Sequence, residues 1–508
     1  MLQIALLIIG IVVFIAVLTS LADNLIQIEA KKSGIDTVNT NMSIWPSIGS
    51  MFKPVTPNFT SSTNYHKLRK GHNIKLTGEA TGDVQSSTVS RYSVRPQNFR
   101  GNAPIPKMLV EVGDEVKSGQ PLFYDKLSPE IKYVAPVSGE VIEIRRGAKR
   151  SIIDVIILAD KVQTYMIAQT PDLSNVSKED LVAYLQSTGA WSMLVQRPFG
   201  LVADPSITPR DIFISAFDTA PLAPDSRLIL DGRNEDLQAG INVLSKLTNG
   251  KVYISGNKDL SKYLSSLENA DVHYFDGPHP AGNVGIQIHH IKPIKGSDIV
   301  WTIGLADVLT LGNLATTGKY EPKRVVSVGG KVKNPKYVET LQGANIGELL
   351  SEQIEEDNLR IIAGDILSGK AVHMDDFLNA SDDQITVIKE GNYNEPFGWL
   401  LPLKPRPSVS KTFPNFLFPS LSFDVDSNTH GEERAFVVTG QYEKMLPMDI
   451  YPQHLMKSIM TGDIERMEGL GINELLEEDI ALAEFACTSK QPLQSILRDG
   501  LDMLKEQL

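Results

Sequence analysis

The chain has 508 residues, 42% hydrophobic and 22% charged, with a formal charge of -12 at pH 7. That length and composition describe a globular protein of several domains, and the acidic balance argues against a general nucleic-acid binder. The single cysteine, Cys487, excludes an intramolecular disulfide, a CxxC zinc site and an iron–sulfur cluster held by cysteines of this chain.

The first predicted element is a helix. The run MLQIALLIIGIVVFIAVLTSLA, residues 1–22, carries no charged side chain before Asp23. As a helix it reaches roughly 30 Å, about one hydrocarbon core. A transmembrane anchor is the expectation. The rival is a signal peptide cut after Ser20-Leu21-Ala22, weakened because no Lys or Arg precedes the apolar run. Lys31 and Lys32 follow it, which places the remainder of the chain in the cytoplasm. Residues 23–65, rich in Ser, Thr and Asn with Pro46, Pro54 and Pro57, read as a flexible linker.

Over 66–160, short strands are punctuated by turn residues. KMLVEVGDEVKSGQPLFYD alternates apolar and polar positions around Gly113-Asp114 and Ser118-Gly119, and APVSGEVIEI adds a turn and a further strand. This text resembles a biotinyl/lipoyl-type barrel-sandwich domain. Such a fold can carry a cofactor on a hairpin lysine, and Lys126 in YDKLSPE is the nearest candidate. Its spacing to Ala135 is longer than in lipoyl domains, so a structural module is favoured.

Residues 161–318 change period. Ser177 and Asp180 open a helix in SKEDLVAYLQSTGAW, and Leu237, Ile241, Leu244 and Leu247 share a helical face. DIFISAF, KVYIS, DVHYF and VGIQIHH read as strands, with DLSKYLSSLENA helical between the second and third. Strands alternating with helices predict a largely parallel, Rossmann-like α/β domain. In 319–420, two strands flank Asn334-Pro335 and a helix begins near Asn345. This resembles a β-grasp domain of the soluble-ligand-binding type, continued by the Pro-rich extension 401–419. Patterns such as NELLEEDIALAEFA predict a helical C-terminal domain over 421–508.

The motif that asks for chemistry is FDGPHPAGNVG, Phe275 to Gly285. A dinucleotide fingerprint needs G-x-G-x-x-G ahead of a helix. Here Gly277, Gly282 and Gly285 have the wrong spacing, and Pro278 and Pro280 remove two backbone donors. Gly277, Pro278, His279, Pro280 and Gly282 are therefore expected to form an interface or fold-defining loop. AGDILSGKAV is a near-miss phosphate loop in which Ala371 stands where a magnesium-ligating hydroxyl is needed. His273, His279, His289 and His290 lie close in sequence, but neighbours on a strand point to opposite faces, so no metal site is expected. Ser-His-Asp, G-x-S-x-G and HExxH arrangements are absent from the sequence, and no catalytic residue is assigned.

LRKGHNIKLTGEA, VGDEVKSGQPLF, APVSGEVIEIRRGAKR, FDGPHPAG, RVVSVGGKV and FGWLLP occur in that order. With them the run from His66 to the C-terminus resembles the NqrA family of the sodium-translocating NADH:quinone reductases. The resemblance implies a peripheral component on the cytoplasmic face of the bacterial inner membrane, part of a respiratory complex with subunits B to F. It implies that FMN, FAD, riboflavin and iron–sulfur centres sit in those partners and that this chain scaffolds them with no redox centre of its own. A contact with quinone is allowed, though no motif places it. Residues 1–65 are an addition to the family pattern. Two other classes stay open: a free-standing soluble-ligand or nucleotide-binding protein, and a carrier modified at Lys126.

Overall fold

The computed structural model describes residues 64–99, 106–395 and 420–507, together with 397, 405–409 and 414–418, and, further N-terminal, 57, 59–61 and scattered positions between 10 and 29. Most of the expected anchor and linker, and part of the Pro-rich extension, lie outside the described residues. Those described at 14–15, 17–22 and 25–26 are helical, and no helix among the described residues is long and apolar enough to cross a membrane. Met1–Ser61 is a unit of its own; Ser62–Leu508 is the folded body.

The body's α/β sheet has seven strands: β1 (Tyr65–Lys67), β2 (Val195–Arg197), β3 (Leu201–Val202), β4 (Ile212–Ser215), β5 (Val252–Gly256), β6 (Asp271–Asp276) and β7 (Val300–Gly304), in the order β1-β6-β5-β4-β7-β2-β3. From β1 to β7 the pairs are parallel; β2 and β3 close the other edge antiparallel. Helices α1 (Asn234–Ser245), α2 (Val284–Ile291) and α3 (Leu305–Thr317) serve the sheet. Helices α1 and α3 pack against each other through two glycines. A Cβ on Gly312 would run into the backbone of Asp236 and lie 2.8 Å from the Gly240 nitrogen, and one on Gly240 would meet Val308. Hydrogen side chains at these two positions let the helix axes come close.

The segment VGIQIHH, expected as a strand, is helix α2. Its alternating Val284, Ile286 and Ile288 imitate a strand period. Yet β6 and β7 both run parallel to their neighbours, and such strands need a crossover between them, which a strand cannot supply. Asn283 takes the N-cap position.

The barrel-sandwich is built from two antiparallel sheets, one of Arg91–Val94, Ile152–Ala159, Gly139–Arg146 and Glu115–Val116, the other of Pro106–Met108, Pro121–Asp125 and Lys132–Val134. Phe123 and Tyr133 stack at 4.9 Å in its core beside the buried Val137, Val141 and Ile157. Lys126 is exposed in the turn after Pro121–Asp125. Two short strands from the span expected to form this unit pair elsewhere. β1 joins the α/β sheet, and Val84–Ser86 lies parallel to Lys336–Leu341 in a six-stranded β-grasp sheet. Three-residue edge strands carry too little periodic signal to show their sheet.

In the β-grasp sheet Lys323–Gly330 and Lys336–Leu341 are antiparallel around the Asn334-Pro335 turn, as expected. The helix after them, Ile346–Leu349, is capped by Asn345, whose side chain accepts from Glu348 N. The C-terminal region from Tyr442 is helical; α4 (Glu477–Phe485) is one of its parts that meet the α/β domain. Replacing Gly312 with Leu should force α1 and α3 apart and cost about 1–3 kcal/mol of stability. Denaturant unfolding checks this, and an unchanged midpoint would remove the close-packing argument.

Candidate functional site

In open parallel sheets, ligand crevices form where successive strands leave in opposite directions. Here the chain runs from β4 outward through β5 to β6, then returns through α2 to β7 on the far side of β4. The carboxyl ends of β4 and β7 diverge, and a cavity of about 350 Å³ opens between them. Phe217 and Asp218 line it after β4, Leu305 and Asp307 after β7, and Val284 and Gly282 from the loop and start of α2. The β-grasp unit contributes Asp365 and Asp383, and α4 contributes Glu478.

The loop Gly277–Gly282 borders this cavity, and it is packed inward. His279 and Pro280 are buried, and the His279 backbone N–H donates to Asn73 Oδ1 at 2.8 Å. A Cβ on Gly277 would sit 2.8 Å from Leu68; one on Gly282 would sit 2.7 Å from Thr219 N and 2.9 Å from Asp218 Cα. The Gly282 N–H donates to Thr219 Oγ1 at 2.9 Å, and Ser215 Oγ donates to the Gly282 carbonyl at 2.7 Å. Thr219 Oγ1 also lies 3.1 Å from His279 Nδ1 and bonds to the ring. Burial lowers the His279 pKa, so the ring is held neutral. The loop is thus clasped between residues 68–73 on one side and 215–219 on the other.

A nucleotide would set its phosphate at the N-terminus of α2. That position is filled from within the chain. Arg197, 1% exposed at the end of β2, donates from one NH group to Asp479 Oδ2 at 2.9 Å and from the other to Glu478 Oε1 at 2.6 Å. Asp479 Oδ2 lies where a Cβ of residue 285 would go, and Asn283 Nδ2 donates to the Glu478 carbonyl at 2.8 Å. The absence of a side chain at Gly285 makes room for a carboxylate of the protein itself, not for a ligand.

Electrostatics point the same way. Asp218, Asp307, Asp365, Asp383 and Glu478 face the cavity, against Arg324 and the neutral His279. Arg324 is buried and already engaged by Asp307 and by the Ala380 carbonyl. Asp218 is open to the cavity yet ringed by protein, and the resulting desolvation raises its pKa, with Asp365 adding to it. Burial pushes Asp383 up to about 7, helped by Asp218 and Asp382 and opposed by Arg324. A polyanionic phosphate has no free cation to meet here.

Of the loop residues singled out in the sequence, His279 and Gly282 line the cavity. The near-miss phosphate loop contributes Asp365, whose Oδ1 accepts from Leu367 N at 2.6 Å in a turn between strands Leu359–Ala363 and Lys370–Val372. Lys126 lies in the barrel-sandwich, outside the lining. His273, His289 and His290 stand away from the lining too. Arg197, Asp218, Arg324, Asp383 and Glu478 carried no sequence signal: they come from separate segments and share no spacing.

The fold and site define a multidomain α/β protein whose switch-point cavity is lined by five carboxylates. Three family profiles match in chain order: the NqrA N-terminal barrel-sandwich hybrid domain at residues 66–160, the NqrA second alpha/beta domain at 176–320, and the NqrA C-terminal domain at 325–374. The NqrA component of the Na(+)-translocating NADH-quinone reductase from Vibrio atlanticus (strain LGP32) is 36% identical over 445 residues, 87% of this chain and 99% of its own. Its counterpart from Pasteurella multocida (strain Pm70) gives the same figures. This chain belongs to the NqrA family. Among solved structures, a chain of the air-oxidized NAD+-reducing [NiFe]-hydrogenase aligns at 11% identity over 68% of each chain with a TM-score of 0.36, a likeness too slight to bear on fold or function.

Two outcomes follow from the charges. Arg197→Ala strands Asp479 as a buried charge and should destabilise the protein by about 3–5 kcal/mol. Arg197→Met with Asp479→Leu should recover most of that loss in thermal unfolding. Asp383, with its pKa raised in the folded state, contributes stability that is present below the ordinary carboxylate range and lost as pH rises through about 7. Asp383→Asn should therefore raise the unfolding midpoint at pH 8 relative to wild type and leave the gap much smaller at pH 4. An equal effect at both values would contradict the assignment.

Proposed function

We propose that this chain is the NqrA component of a sodium-translocating NADH:quinone reductase, that it docks at the cytoplasmic face of the membrane, and that it works as a scaffold for subunits B to F. Flavins and iron–sulfur centres belong, in this reading, to those partners. The observation that carries it is the alignment of 445 residues that spans 99% of a relative so named. Support for the scaffold role comes from the cavity. A Rossmann-like sheet retains the crevice in which relatives of the fold class hold nucleotides, but Glu478 and Asp479 occupy the phosphate end.

A second reading is favoured by one feature of the same cavity. Phe217, Ile229, Leu305 and Val284 give it an apolar wall, and Asp383 is balanced between acid and carboxylate near neutral pH. An uncharged ring with carbonyl acceptors, such as a quinone head group, fits that combination better than a nucleotide does.

The test is a mild-detergent purification through a C-terminal tag, reading flavin absorbance and Na⁺-stimulated NADH:quinone activity on the eluate. Co-elution of flavin-bearing membrane proteins with that activity is expected. Elution of the chain alone, with tight binding of NADH or FMN by the isolated protein, would overturn the scaffold reading.

A further inference from the structure

Four of the nine histidines gather on the face of the α/β sheet covered by α2, away from the cavity. At their centre is His66, in β1, the first strand of the folded body. β1 is held to β6 by only three residue pairs: Tyr65 with Tyr274, His66 with Phe275 and Lys67 with Asp276. So short an edge strand depends on its side chains. Its central ring stacks on Phe275 at 4.5 Å and 15°, and on His273 at 5.3 Å and 26°. His66 Nε2 lies 3.0 Å from His273 Nδ1, and His273 Nε2 lies 3.5 Å from Asp271 Oδ1. The network assigns one consistent set of protons: His66 donates to His273, and His273 points its own N–H to Asp271.

We propose that β1 is an acid-released strap: protonation of the His66–His273 pair detaches the strand from the edge of the sheet. The nearest carboxylate, Asp271, favours a proton on His273, but it is already shared with other donors, and burial opposes the charge. On β6, Asp271 is already bound by Lys251 Nζ at 2.8 Å, from just before β5, and by Asn64 Nδ2 at 3.1 Å. Asp276, at the other end of β6, pairs at the exposed edge with Tyr65 and Lys67. Tyr253 of β5 presents its ring to His273 at 5.7 Å. From α2, His290 lies 6.3 Å from His66 and spends its Nε2–H on the Pro447 carbonyl at 2.7 Å. His289 is taken by Glu474 at 2.8 Å and by the Asp449 N–H at 3.1 Å.

Burial, then His273 and His290, push the His66 pKa down from 6.5 to about 4, and burial lowers His273 as well. The docked strand therefore binds protons more weakly than the free one. Docking is fully present above the ordinary histidine range and is lost as pH falls through it towards about 4. For His66 alone, the ratio of released to docked strand at pH 5.5 rises about tenfold over its value at pH 7.5. Release also uncovers the outer edge of β6, whose backbone groups can then accept another strand.

The experiment is amide hydrogen exchange of the full chain at pH 7.5 and 5.5, corrected for the intrinsic pH dependence of exchange and followed at Leu68 and Tyr274, whose N–H groups bond across β1 and β6. The opening ratio at these amides should rise about tenfold, while amides of β4 and β5 keep their protection. His66→Phe preserves the stack on Phe275 and removes the titrating group, so the rise should shrink to below about threefold; a tenfold rise in this variant overturns the proposal, as does no rise in wild type. Should that variant fail to fold, exchange at the imidazole C2 position of wild-type His66 decides. A midpoint well below 6.5 supports the strap, and one at or above 6.5 overturns it.

Discussion

The guanidinium of Arg197 holds the parts of this molecule in register. It sits fully buried at the end of β2, and its carboxylate partners come from α4, 281 and 282 residues further along the chain. Removing Arg197 and Asp479 from water costs several kcal/mol per ion, and only the close geometry and the added hydrogen bond from Leu476 N to Asp479 offset it. An arrangement of that kind has little tolerance. Once the pair forms, α4 must lie across the start of α2, and the helical C-terminal region is fixed against the α/β sheet. Arg498 adds to the same junction by donating from both NH groups to the Phe199 carbonyl, two residues beyond Arg197.

The character of the cavity follows from that junction. A parallel sheet with a switch point produces a crevice as a matter of topology, and a helix N-terminus beside it offers unpaired N–H groups and a partial positive charge. In this chain a carboxylate of its own, that of Asp479, packs against Gly285 in the first turn of α2. What remains is a chamber with an acidic rim and an apolar wall, in which burial and the neighbouring Asp218 raise the pKa of Asp383. The crevice of this sheet is thus an interior joint beside a small hollow lined by carboxylates.

Further along α2, the sheet face beneath it obeys a different constraint. There the core is apolar, with Phe213, Tyr253, Ile288, Ile294 and Val300 in one buried cluster. The histidines extend this cluster to the edge as flat stacked rings whose burial favours the neutral form. A strand attached in this way is conditionally attached. The edge thus has a property that the middle of the same sheet lacks, because Phe213 and Ile288 have no proton to gain.

Much of the fold was legible in the sequence, because local rules and tertiary outcome agree there. Alternating positions around paired turn residues marked the barrel-sandwich strands, Ser177 and Asn345 announced helix starts, and Leu237, Ile241, Leu244 and Leu247 lined one buried face. The glycine spacing and the prolines of FDGPHPAGNVG argued against a dinucleotide loop, since those are statements about backbone donors. The same rules failed at VGIQIHH, where a strand-like period lies in a helix, and at β1 and Val84–Ser86, which are too short to declare a sheet. Tertiary structure alone decided the site. Arg197, Asp218, Arg324, Asp383 and Glu478 are brought together by strand order and by a buried ion pair between distant segments, and His66 meets His273 across 207 residues. Periodicity and capping act over a few residues, whereas desolvation and charge pairing act between whichever groups the packing makes neighbours.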